Sequence, residues 1–304
     1  MIRALSQPSR RWLAAVAAAV AALGAAGGCA SLDEYQRQAI FNPARDSVRW
    51  YAEPLDGTEE YDLRLANGDT LHFWYLPQKE AGSAPTVLYL HGARWNLNGS
   101  VFRVARWHDL GFNVLAVDYR GFGKSTDILP SESSAAEDAR AAFDELKRRQ
   151  PDASRRYVYG HSLGGALAIG LASELPADQL AGVVVEATFT SIPDLLKGMR
   201  WGWVPGIGLV VTQRFDSAAR IGKVSAPLLI LHGTADNIVP HTMADELYRL
   251  AGSDTKRVVK LEGATHSGRS GSTSAYREAV LSFLQSSTLP AAAAAAAGPA
   301  VAAD

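Results

Sequence analysis

"YVYGHSLGG", residues 157–165, sets one serine among three glycines directly after a short aromatic and β-branched run. A turn that needed only a positive φ would need one glycine. Gly160, Gly164 and Gly165 together indicate a bend so sharp that side chains would collide around Ser162. Gly160-His161-Ser162-Leu163-Gly164 is a G-x-S-x-G pattern. It ends a strand ("RRYVYG") and opens a helix ("LGGALAIGLASEL"), which is the context a nucleophile elbow requires. The expected consequence is strained backbone at Ser162, with its hydroxyl pushed into the open. The N–H groups and positive potential of the helix start would then lie where an oxyanion forms.

Outward from this elbow, strand and helix signals alternate from about residue 59 to 286. "EYDLRLANGDTLHFWYLP" carries two alternating runs around Asn67-Gly68, a hairpin signal. "PTVLYLHG", "FNVLAVDYRG", "LAGVVVEA", "APLLILHG" and "KRVVKLEG" are short apolar runs suited to strands. Helical spacing recurs between them, as in Ala139, Ala142, Phe143 and Leu146. Such alternation predicts an α/β fold, a mostly parallel central sheet with helices on both faces. Ligands then bind at the carboxyl ends of the strands. One segment breaks the pattern. About 187–222 is long and irregular, and is read as a short lid insertion.

A serine hydroxyl needs a base, and the base needs an orienting acid. "LLILHGTADNIVP" puts Asp236 just past one strand end, and "LEGATHSG" puts His266 just past the next. Both therefore fall on the edge of the sheet that carries Ser162. Glu186 also ends a strand and is a rival acid. His232 and His241 read as loop-packing residues, and His161 should point away from the neighbouring hydroxyl. An oxyanion hole needs two N–H donors. Leu163, next to the nucleophile, is one; "YLHGARWN" supplies Ala93 as the other, with His91 and Gly92 shaping the bend.

The 304 residues are 47% hydrophobic and 20% charged, enough for one large domain with a core. Lys+Arg is 30 and Asp+Glu is 31, so no basic excess invites nucleic acid. One cysteine rules out an intramolecular disulfide framework. No H-E-x-x-H or comparable ligand pair occurs among the histidines, and no metal or other cofactor is expected. "GFGKST" contains Gly-Lys-Ser, but Asp118 stands where a phosphate-binding loop needs its first glycine. Asp118, Arg120 and Lys124 are instead expected to hold a loop by local ion pairing.

In order, "LHGAR", "DYRGFGKS", "GHSLGG", "ATFTSIPDL", "LHGTADNIVP" and "GATHSG" resemble the α/β-hydrolase superfamily. Within it the chain looks like the ABHD-type serine hydrolases and bacterial lipoproteins similar to them. The resemblance runs from near residue 40 to about 286. It implies the α/β-hydrolase fold and a triad of Ser162, Asp236 and His266. The chain departs from the family at Ala93, where a polar residue often follows "HG"; a backbone donor is indifferent to that change. The implied activity is cleavage of an acyl bond in a small-molecule or lipid-like substrate, with a carboxylic ester first. An aminopeptidase-like peptidase is the alternative. A non-catalytic envelope protein on the same fold would be expected to lack a triad member, and none is missing. Oligomeric state is not legible.

The two ends read differently. Arg3, Arg10 and Arg11 precede an apolar stretch that closes at Cys29, an export signal in form. Ala26-Gly27-Gly28-Cys29 resembles a bacterial lipobox without its usual leucine, which implies an acylated Cys29, a lipid anchor in a membrane and a cell-envelope location. Cleavage after Ala30 and retention as an uncleaved anchor are the competing readings. The expected organisation is a signal over 1–29, an N-terminal arm over 30–58, the hydrolase domain over 59–286 and a low-complexity tail over 287–304, expected to fray.

Overall fold

Strands rich in valine, leucine and tyrosine need apolar cover on both faces, and here they have it. The structure is a computed structural model that describes residues 30–45, 50–198, 204–268 and 274–296. Cys29, Trp201 and Trp203 lie outside the described residues. Eight strands form one sheet: β1 Glu59–Arg64, β2 Thr70–Leu76, β3 Thr86–Leu90, β4 Asn113–Asp118, β5 Arg156–His161, β6 Gly182–Glu186, β7 Leu228–Gly233 and β8 Lys256–Leu261. Their order is β1-β2-β4-β3-β5-β6-β7-β8. β1 and β2 form the predicted antiparallel hairpin, and β2 pairs antiparallel with β4. All pairings from β4 through β8 are parallel.

Alternate residues of each central strand feed two cores. Leu88, Leu115, Val158, Val183 and Ile230 face one side with α3 (Glu132–Arg149) and α4 (Leu163–Ala172). Val87, Val114, Tyr157, Val184 and Leu229 face the other with α2 (Val101–Asp109) and α8 (Ser274–Ala296). Every residue of α4 is buried, which its apolar composition on all sides permits. Because β3 and β5 through β8 run parallel, the segments after them, holding Ala93, Ser162, Glu186, Asp236 and His266, emerge along one edge.

Three expectations need adjustment. The arm over 30–58 begins with a helix, α1, at 30–41, whose Phe41 is fully buried. The expected lid over 187–222 is only partly outside the core. Phe189, Ile192, Val211, Phe215 and Ile221 are buried, while Leu209 and Val210 between them are exposed. Short helices α5 (Ile192–Lys197) and α6 (Ser217–Ile221) brace its two ends. Finally, α8 continues past residue 286 to Ala296, through Pro290 and into the alanine run, where no helix was expected.

The loop after β4 is held by ion pairs, but not the local ones expected. Arg120 reaches Asp69 at 2.9 Å, Glu137 at 2.8 Å and Asp138 at 2.7 Å. Lys124 reaches Glu60 at 2.6 Å. Asp118 instead accepts the Leu97 N–H at 3.0 Å, and burial pushes its carboxyl up to about 7.

Candidate active site

Ser162 has φ 55° and ψ −118°, a conformation that costs a non-glycine residue about 1–3 kcal/mol. Its surroundings over-determine it. The Ser162 N–H donates to Glu186 O at 2.9 Å, and Ser162 O accepts from Thr188 Oγ1 at 2.8 Å. The three glycines are required by contact, not by φ. A Cβ on Gly160 would stand 2.2 Å from Gly164 O, and one on Gly164 would stand 2.0 Å from Leu90 O. One on Gly165 would meet Thr188 Cβ at 2.6 Å. The helix therefore sits on the strands at backbone distance, which is what turns the chain so tightly.

The loops after β7 and β8 bring two more side chains to this serine. His266 Nε2 lies 3.1 Å from Ser162 Oγ, and His266 Nδ1 lies 2.8 Å from Asp236 Oδ2. With Nδ1–H donating to the carboxylate, Nε2 is the free acceptor for the serine proton. Asp236 is fixed independently, since its Oδ1 accepts the Ile238 and Val239 N–H groups at 2.9 and 2.8 Å. Burial pushes its carboxyl up. Hydrogen bonds from His232 and His266, the His266 charge and the Val239 N–H outweigh burial and hold it well below the usual carboxylate range.

Leu163 is the first residue of α4, so its N–H has no carbonyl within the helix to bond. A Cβ on Gly92 would lie 3.3 Å from Ser162 Cβ, so the loop that continues into Ala93 runs beside the nucleophile. Arg94 pins that loop, donating its N–H to Phe41 O at 2.9 Å with φ 70°. Tyr119 OH donates to His91 O at 3.1 Å, and burial lowers the His91 imidazole to about 4.

The rivals are placed as clearly. Glu186 turns to the Tyr159 hydroxyl and lies 3.8 Å from Arg106 Nη1. His241 packs at the start of α7 (Thr242–Leu250), where its Nδ1 is 3.3 Å from Lys260 Nζ. His232 is wholly buried, and its Nε2 is 3.0 Å from Val239 O and 3.2 Å from Asp236 Oδ2. It was expected to pack a loop; it also touches the acid. His161 donates Nε2–H to His266 O at 2.9 Å. Burial first, then the charges of Arg103 and His266, hold its imidazole neutral. Sequence patterns missed Arg103, Arg106 and Trp95 here. The ring of Trp95 stacks near His161, with centroids 6.4 Å apart. No short motif marks the two arginines, which reach the site across the fold; Trp95 lies in the "YLHGARWN" loop itself, two residues past Ala93.

Residues 83–219 and 193–268 match the family described as serine aminopeptidase, S33. Together the matches take in more than half of the chain, including all three side chains of the serine–histidine–aspartate chain. The protein belongs to this α/β-hydrolase family. An uncharacterized Mycobacterium tuberculosis protein is 32% identical over 249 residues, covering 82% of this chain and 86% of that one. Protein bem46 of Schizosaccharomyces pombe is 32% identical over 246 residues, covering 77% and 81%. Among solved structures, the Pyrococcus furiosus esterase Pf2001 superposes with a TM-score of 0.63 at 19% identity, covering 81% of this chain and 98% of that one. The likeness establishes the α/β-hydrolase fold.

Proposed function

We propose that this hydrolase is a serine esterase. The observation that carries the reading is the continuous contact from Ser162 Oγ through His266 to Asp236, built on a strained elbow. In the first half-reaction Ser162 Oγ attacks the acyl carbon while His266 Nε2 takes its proton. The alkoxide leaves with that proton, and an acyl-serine remains. Water, deprotonated by His266, then attacks the acyl carbon and releases the acid. The Leu163 and Ala93 N–H groups hold the oxyanion in both steps. Nothing in this sequence of steps calls for a metal or another cofactor.

The family description favours a second reading, an aminopeptidase. Such an enzyme needs a free carboxylate for the substrate's ammonium group. Among the described residues, the strand-end carboxylates Glu186 and Asp236 are both turned to other partners, which supports an ester. Matched p-nitrophenyl acetate and alanine p-nitroanilide assays separate the two. Faster turnover of the anilide would sink the esterase reading.

The lid segment suggests an apolar acyl group. Trp201 and Trp203 belong to it, and its described part forms a groove of about 570 Å³ lined by the apolar Pro193, Val204, Ile207 and Leu209 together with the charged Asp194, Lys197, Arg214 and Asp216. Each buried methylene contributes at most about 0.8 kcal/mol, roughly fourfold in kcat/KM. Efficiency toward p-nitrophenyl esters should therefore climb with acyl length until the pocket is full. Trp201→Ala or Trp203→Ala should flatten the climb and spare acetate. An unchanged profile in both variants would make the tryptophans structural.

We also propose that the protein is exported and held at a membrane of the cell envelope by an acylated Cys29. Among the described residues no helix is long and apolar enough to cross a membrane. One acyl chain anchors only marginally, so two or more are needed. Cys29→Ser is expected to abolish acylation and move the protein to the soluble fraction. Retention of that variant in membranes would favour an uncleaved anchor instead.

A further inference from the structure

The turn that carries His266 is held from beneath. Its hydrogen bond from Gly268 N–H to Thr265 O, 2.9 Å, closes residues 265–268 into a β-turn. The next three carbonyls along it each accept from a different side chain. His266 O takes His161 Nε2–H at 2.9 Å, Ser267 O takes Arg103 Nη2 at 2.6 Å, and Gly268 O takes Arg106 Nη2 at 2.8 Å. The two arginines stand one turn apart on α2 and so share a face.

Placing them there is costly. Arg103 is wholly buried, and its Nε and Nη1 have no hydrogen-bond partner. Its guanidinium lies 4.4 Å from the Phe102 ring centroid and 5.4 Å from that of Trp95. A well-packed apolar side chain of that volume would serve the core as well or better. Arg106 is braced on two sides, 4.4 Å from the Tyr276 ring centroid and 3.8 Å from Glu186 Oε1. Glu186 in turn accepts from the Tyr159 hydroxyl, while its main-chain oxygen holds the Ser162 N–H. Gly268 has φ +67°, and a Cβ there would stand 2.4 Å from Glu186 Oε1. The His266 turn therefore rests directly on the residue that also tethers the nucleophile.

We propose that Arg103 and Arg106, braced by Glu186, are positioning residues that clamp the Ser267 and Gly268 carbonyls and so hold the His266 imidazole at Ser162. The proposal rests on the reading of His266 as the base. The clamp supplies what neither hydrogen bond of the imidazole can, a fixed main chain from which the ring reaches both partners. A displacement of about 1 Å in such a group can cost on the order of 100-fold.

The test uses the full-length protein and p-nitrophenyl acetate. Arg106→Gln, Arg106→Lys and His266→Ala are compared singly, and Arg106→Gln is combined with His266→Ala, each checked by circular dichroism and melting temperature. Arg106→Gln is expected to lower kcat by about 10- to 100-fold with KM within about twofold. Arg106→Lys, which keeps one donor for Gly268 O, should recover part of the loss. In the His266→Ala background Arg106→Gln should cost nothing further. Full kcat in folded Arg106→Gln overturns the clamp, and so does an equal loss in both backgrounds, which would place its action elsewhere. If Arg106→Gln fails to fold, Glu186→Gln, which keeps the side-chain volume, takes its place in both backgrounds under the same two criteria. A His266→Ala protein with wild-type kcat would instead overturn the reading of the base itself.

Discussion

Ser162→Ala and His266→Ala are each expected to lower kcat by roughly 10⁵- to 10⁶-fold, and the double variant by little more. Among the described residues the serine hydroxyl meets one acceptor, His266 Nε2 at 3.1 Å, so both groups serve the same step. Removing either partner disables the same step, so the two losses do not add. The residual rate comes from the oxyanion donors, which neither substitution touches. Ser162→Ala should leave stability unchanged or improve it slightly. A methyl group places no new demand on an elbow whose geometry is set by Gly160, Gly164 and Gly165. A fluorophosphonate probe supplies the direct measurement: it should label the wild type at Ser162, label His266→Ala far more slowly and leave Ser162→Ala unlabelled. Additive losses in the double variant, or labelling at another serine, would refute the assignment.

Asp236→Asn should cost about 10³- to 10⁴-fold in kcat, whereas Glu186→Gln, acting through Arg106 and the turn that rests on it, should cost about 10- to 100-fold. The difference lies in hydrogen-bond bookkeeping at Asp236. Its four contacts are all donors: two backbone N–H groups on Oδ1, and His266 Nδ1 and His232 Nε2 on Oδ2. An asparagine must turn its NH₂ toward one of these pairs. Facing His266, it forces the other tautomer and puts the proton on Nε2, where the serine proton has to go. The same variant carries a pH signature. The Asp236 carboxyl is held well below its ordinary value in the folded protein, although burial alone would raise it. It therefore contributes stability that is present above the unfolded pKa of about 3.9 and lost as pH falls toward the folded value. Melting temperatures should fall less steeply below about pH 4 in Asp236→Asn than in the wild type. A reversed activity ranking of the two acids would sink the assignment of Asp236.

Much of this was open to reading along the chain because the determining signals are local. Strand and helix periods repeat over short windows, so the alternating α/β layout was legible from β1 to α8. The elbow was legible because close approach admits only glycine there, against backbone at Gly160 and Gly164 and against the Thr188 side chain at Gly165. Asp236 and His266 could be nominated because parallel strands deliver their carboxyl ends to one edge. The limits were equally physical. The tail after residue 286 offers few side chains that could signal a core, and its Pro290 reads as a helix stop, yet α8 continues through it to Ala296. The segment over 187–222 has no period, so its buried residues, Phe189, Val211 and Phe215, could not be told from its exposed Leu209.

What the sequence by itself determined was the sheet, the elbow and the set of groups on one edge, since each depends on residues a few positions apart. Which acid meets the base was decided only in three dimensions. Glu186 and Asp236 both end strands, and they differ in that one lies against Tyr159 and Arg106 while the other reaches His266. Arg103 and Arg106 carry no signal in the sequence that ties them to the site. Arg103 becomes a buried donor and Arg106 a half-buried one because α2 packs over a turn more than 160 residues further along the chain. Burial and partnership at that separation are properties of packing, and no window of sequence contains both ends of the contact.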